Sequence, residues 1–229
     1  MTASAVYMYA HRMAKQHGAL SPWSAAPKLT AAFFICSLFL LGGGIAWIDE
    51  AENREYGEYK ESAKQIAGMI ASDLAARGHE QLDENADRLP VYHSILAALG
   101  RWQQHGLVRS VYTLKKNEHG ELYVVVAPAV DGSRSGRIDG KHEQAVPPGT
   151  IYRHAFAEIE EAFRGRFAME KHPRADGSGK SISTFMPIHG LDGTVNAVVG
   201  IDYDAKVYER RLKKERQKAA AIMMMIYFI

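Results

Sequence analysis

Ten histidines and one cysteine are the residues readiest for chemistry, and their spacing argues against it. No pair stands at HExxH or His-x-His distance, the spacings that turn two imidazoles toward one metal ion. His142, His154 and His172 fall in or beside loops and read as solvated surface residues. A lone Cys36 rules out an internal disulfide and a thiolate zinc site. There is no GxSxG nucleophile elbow and no P-loop. Gly-Ser-Gly at 177–179 reads as a turn, because no helix follows it to cradle a phosphate. Asp131 and Asp139 lack the order of a calcium loop. The expectation is no catalytic residue, no metal and no cofactor.

Other residues suit binding. Arg137 and Arg153 carry planar forks that match a carboxylate. Tyr123 and Tyr152 offer ring faces and hydroxyls. Ser181 and Ser183, two residues apart, share a face of any strand that holds them. Asp202 lies near the end of a segment that otherwise reads as core, where an acid must find a partner or water.

The elements that position these residues begin with an uneven distribution of charge. With 47% hydrophobic and 24% charged residues the 229-residue chain is globular, and a net charge of +2 gives no reason to expect a nucleic-acid partner. Residues 1–28 hold Arg12, Lys15 and Lys28 and no acid, and read as a cytoplasmic tail. LTAAFFICSLFLLGGGIAWI (29–48) follows without one charge, the length that crosses a bilayer as a helix. Trp47 stands where an interfacial aromatic belongs. Asp49 and Glu50 replace the small residues of a signal-peptide cleavage site, so the segment reads as a retained anchor. Residues 206–218 carry seven basic and two acidic residues, and AAAIMMMIYFI (219–229) is again uncharged. That tail is too short to cross, and is read as the start of a truncated second membrane helix. Between the basic flanks, 49–205 carry a net charge of −6 and are expected to be exported.

In 49–205 the first element is a helix to about Gly78, with Tyr59, Ala63, Ile66, Ile70 and Leu74 on one face. That stripe suits packing on its own domain or on a second copy. A polar loop to Pro90 precedes a helix over 91–104. Strands are predicted at 108–116 and 121–129 around an NEHG turn. A long Gly- and Pro-rich loop (130–149) leads to Thr150, read as the cap of a helix from Ile151 to about Phe163. A short strand over 166–170 and a hairpin of 181–188 with 194–204 complete an α+β domain with an antiparallel sheet.

The words VYTL (111–114), YVVVA (123–127), AFRG (162–165) and STFMPIHGLDGTVNAVVGIDYDA (183–205), in that order, resemble the Cache family of PAS-like extracytoplasmic sensor domains. The departure is RADGSGK (174–180), where relatives often carry a tryptophan. The resemblance implies a long N-terminal helix and about five antiparallel strands, flanked by transmembrane helices. It places a ligand between one sheet face and the 128–170 loops. Tyr123, Arg137, Tyr152, Arg153, Ser181, Ser183 and Asp202 would then converge on one pocket, with Asp202 meeting a ligand amine. It implies a small polar ligand such as an amino acid, amine or carboxylate, a plasma-membrane location, a homodimer, and a cytoplasmic output domain of diguanylate cyclase, histidine kinase or chemotaxis type. The alternative is a dimerising spacer that binds nothing small.

Overall fold

The computed structural model describes residues 8–9, 12, 22–104, 108–129, 144–154, 156–176 and 179–228. They form two compact units, one of residues up to Glu55 with those from Arg210 onward, the other Tyr56–Glu209. Helix α1 (Pro22–Ala76) and helix α4 (Ala205–Phe228) each contribute to both.

In the Tyr56–Glu209 unit, α1 gives way to 3-10 turns at His79–Gln81 and Ala86–Arg88, then to α2 (Pro90–Gln104). The strands are β1 (Ser110–Lys116), β2 (Leu122–Val126), β3 (Ala168–Met169), β4 (Arg174–Asp176), β5 (Gly179–His189) and β6 (Val195–Asp204), with α3 (Ala157–Phe163) before β3. All pairs are antiparallel, in the order β2-β1-β6-β5-β3, with β4 also on β5. The long β-branched and aromatic runs of 181–188 and 195–204 fill the centre, as strand propensity demands. The sheet therefore has six strands where about five are expected. The sixth is the three-residue β4, polar and too short to show a period.

The two sheet faces have different covers. Val111, Thr113 and Lys115 of β1 share a face with Val199 and Ile201 of β6. The α1 stripe covers this side: Ala63, Ala67, Ile70 and Leu74 are buried, and a Cβ on Gly68 would touch Met186 at 3.8 Å. Of its two possible uses, the stripe serves its own domain, at about 1.5–3 kcal/mol for each large side chain buried. At the α1 exit His79 is fully buried, its Nε2 2.8 Å from the Thr113 hydroxyl. The Lys115 ammonium donates to the carbonyls of Glu80 and Leu82 at 3.1 and 2.6 Å, tying the turn to the sheet. On the other face Leu114, Val124, Ile159, Ala162, Phe185 and Val198 form a core under α3.

Helix α3 begins at Ala157, not Ile151, and Thr150 does not cap it; its N-cap is Phe156. The reason is backbone competition. Thr150 C=O accepts from Val124 N–H at 2.9 Å, and Tyr152 N–H donates to Leu122 C=O at 2.8 Å, so 150–152 extend the sheet beside β2.

In the other unit, α1 and α4 meet through small residues. Gly44, Ala51 and Ala219 are buried, and a Cβ on Gly44 would collide with the Met223 sulfur. Arg216 Nε donates to Glu52 Oε1 at 2.5 Å. Outward stand Phe33, Phe34, Ile35, Leu38 and Ile45, each 54–67% exposed. Among the described residues no helix is long and apolar enough to cross a membrane. The uncharged run 29–48 includes five residues, 29, 36 and 39–41, whose side chains lie outside that description.

Candidate functional site

The α3-side face of the sheet changes character toward the C-terminal end of β6. The Leu114–Val198 rung gives way to Tyr112, Gly200 and Phe185, and then to Ser110, Asp202 and Ser183. Ser110 Oγ donates to Asp202 Oδ2 at 2.5 Å. One strand over, Glu170 follows directly on the short β3; its Oε2 accepts from Ser183 N–H at 3.0 Å and its side chain is 2% exposed. Arg174 Nε lies 2.7 Å from Glu170 Oε1, an ion-pair contact without hydrogen-bond alignment. Ser181 faces both Arg174 and Asp204 across its rungs.

An aromatic wall closes one side. The Tyr112 and Tyr152 rings stack at 5.7 Å and their hydroxyls are 3.1 Å apart. His154 stands edge-on to Tyr152 and stacks on Phe156 at 5.9 Å, and the Arg174 guanidinium lies 4.1 Å over the Phe156 ring. Gly200 makes room for this wall. A Cβ there would stand 2.5 Å from the Tyr112 ring.

The electrostatics follow from burial beside acids. Burial first, then the charge of Asp202, pushes the Tyr112 phenol well above its ordinary value. Burial and the charges of Asp202 and Glu170 bring Tyr152 up to about 12, against the pull of its hydrogen bond with Tyr112. Both therefore stay protonated. Burial raises the Glu170 carboxyl, while the Ser183 N–H and the Arg174 guanidinium pull it back, and Glu158 and Asp202 add to the rise. The result is an acidic floor beside π faces, with a half-exposed guanidinium at its edge. Carboxylates and ring faces both favour an ammonium, and the Arg174 fork suits a carboxylate. Among the described residues no group of His, Cys, Asp and Glu side chains is placed to hold a metal ion.

The structure brings Tyr152, Ser181, Ser183 and Asp202 together on one face. Arg153 lies outside any strand and is exposed, and among the described residues no contact joins it to the cluster. Tyr123 pairs with Lys115 and so lies on the helix-covered face, opposite Asp202. Arg137 lies outside the described residues. Ser110, Tyr112, Phe156, Glu170 and Arg174 join the cluster without having been singled out in the sequence. Tyr112 was legible in principle: it opens the alternation Tyr112, Leu114 and faces a lone glycine in a strand of bulky residues.

No family model matches the chain, and no curated protein does. Solved structures do. The sensory domain of the Campylobacter jejuni chemoreceptor Tlp3 aligns over 78% of this chain and 66% of its own, at 10% identity and a TM-score of 0.49. The same domain in complex with 4-methylisoleucine aligns over 75% and 61%, at 12% identity and a TM-score of 0.48. The ligand-binding domain of the Pseudomonas aeruginosa amino acid chemoreceptor PctC, in complex with GABA, aligns over 70% and 58%, at 18% identity and a TM-score of 0.43. In each case the match spans less than two thirds of the solved chain. These structural neighbours are ligand-binding sensory domains of chemoreceptors.

Proposed function

We propose that residues 49–205 are the extracytoplasmic sensing region of a membrane receptor, and that the Asp202 face binds a small ligand carrying an amine. One observation carries the reading: Asp202 and the buried Glu170 lie on a single sheet face against the Tyr112, Tyr152 and Phe156 rings. Ser110 meets Asp202, and Ser183 N–H and Arg174 meet Glu170, so a ligand ammonium would join partners already in place and add the attraction of the ring faces. Of the seven candidate residues, Tyr152, Ser181, Ser183 and Asp202 belong to this site. A ligand shifts the receptor between states only through its differential affinity for them.

Membrane insertion belongs to the same proposal. The 20-residue uncharged run supports it, as does the sorting of side chains in the helical unit, small residues inward and Phe33, Phe34 and Leu38 outward. In water such exposed surface invites association, whereas in lipid it is matched. A homodimer, and an output domain of diguanylate cyclase, histidine kinase or chemotaxis type, rest on the family resemblance.

The test is a calorimetric titration of the purified 229-residue chain in detergent with L-valine, L-isoleucine, L-alanine, GABA, simple amines and small carboxylates. An amine-bearing compound is expected to bind, and Asp202→Asn to weaken it by about ten- to a hundredfold, since a charged hydrogen bond contributes about 1.5–3 kcal/mol. Thermal unfolding of the variant should stay near wild type. Silence across the whole set, or an equal response from Asp202→Asn, refutes the assignment. The spacer reading then takes its place, favoured by the apolar core that fills the α3 end of the same face.

A further inference from the structure

Glu170 is the buried acid of the Asp202 face, and its two oxygens are served unequally. Oε2 accepts from Ser183 N–H at 3.0 Å, while Oε1, shut off from water, accepts no aligned hydrogen bond among the described residues. What stands against Oε1 is the half-exposed Arg174 guanidinium, its Nε 2.7 Å away. The same guanidinium lies 4.1 Å over the Phe156 ring, which is set against the core ring of Phe185 at 6.3 Å. Glu158 and Asp202 also act on Glu170, so three carboxylates share that neighbourhood with the Arg174 charge. The backbone that carries Arg174 is lightly held. Strand β4 has three residues and pairs with β5 alone among the described residues, and Lys171, His172 and Pro173, outside any strand, join Glu170 to it.

An arginine in this pose makes the two contacts asked of a bound cation, one with a carboxylate oxygen and one with a π face. We propose, resting on the amine reading of the Asp202 face, that Arg174 is an internal occupant of that site's cation position, and that a ligand ammonium takes Glu170 Oε1 and the Phe156 ring over from it. At Asp202 the ligand joins the Ser110 hydroxyl; at Glu170 it competes. With half its surface in water the guanidinium leaves at small cost, since an ion pair so exposed contributes little. The apparent dissociation constant is then the intrinsic one divided by the fraction of molecules whose Arg174 has swung out. Arg174 thereby sets the ligand concentration at which the site fills, without touching the ligand itself.

Propylamine, which carries no carboxylate for Arg174 to hold, is titrated calorimetrically into the 229-residue chain in detergent. Arg174→Met keeps an apolar stem over Phe156 and removes the charge. It should bind propylamine about three- to tenfold more tightly, the worth of a half-exposed ion pair and a ring contact. Arg164→Met, which removes a like charge from an ion pair with Glu161, should match wild type. In Arg174→Ala, millimolar methylguanidine should raise the unfolding temperature more than in wild type, and Glu170→Gln in the same chain should abolish the gain. Propylamine bound equally or more weakly by Arg174→Met overturns the proposal and leaves the amine reading standing. So does methylguanidine acting alike on wild type and Arg174→Ala. Binding of GABA without binding of propylamine marks Arg174 as a carboxylate holder and overturns it as well. Silence with every compound in both chains refutes the amine reading together with the proposal. Far-UV circular dichroism confirms that each variant is folded.

Discussion

Gly200 decides where the aromatic wall can stand. A methyl group there would sit 2.5 Å from the Tyr112 ring, and the ring is held on its far side by Tyr152. Gly200→Ala is therefore expected to act as overpacking, costing about 1–3 kcal/mol and lowering the unfolding temperature by several degrees. It should also weaken ligand binding at Asp202, while Tyr112→Phe, which keeps the ring, should cost far less in stability. Thermal unfolding of the two variants separates them. His79 sets a pH limit on the same sheet. Burial, and then the Lys115 charge, lowers its pKa to about 3. Between about 6.5 and 3 the unfolded chain binds a proton that the folded chain refuses, so stability falls as pH drops through that window. The slope is at most about 1.4 kcal/mol per pH unit. Urea unfolding at pH 7.5 and pH 5 should show the loss, and His79→Gln should flatten it. Asp202, Ser181 and Ser183 were legible in the sequence because two-residue alternation needs no knowledge of partners, whereas Ser110, which hydrogen-bonds Asp202, was not. Glu170 and Arg174 were not, since only the pairing of β3 and β4 with β5 brings them to the face.

Among the elements, α1 has its stripe buried on its own sheet, and that changes what an insertion does. One extra residue after Ala67 turns the following helix by about 100°. Ile70 and Leu74, both fully buried, would swing off the sheet. The expected outcome is a destabilised domain, with a fall of many degrees in unfolding temperature. An insertion variant as stable as wild type would show that the stripe is not anchored there. Helices and long strands were readable from period and from turn residues. The start of α3 was not, because 151–152 have the composition of a first helical turn while their backbone groups are claimed by β2. The side taken by Tyr123 was hidden as well: it follows from the hairpin register, which sets Tyr123 opposite Lys115 and which the strand pattern alone leaves open.

For the molecule as a whole, the net charge of −6 in 49–205 between two basic flanks carries a topological expectation. A phosphatase reporter fused at about residue 100 should be active outside the cytoplasm. Activity of a cytoplasmic reporter at that point would refute the receptor reading. One junction has a mechanical meaning. Strand β6 ends at Asp204 and α4 starts at Ala205, with Asp204 Oδ1 accepting the Lys206 N–H. Two rods joined without a soft spring between them lose little of a displacement to slack. Under the proposed receptor reading, a displacement of Asp202 reaches the first turn of α4, Ala205–Glu209 of the same unit, across no intervening loop residue.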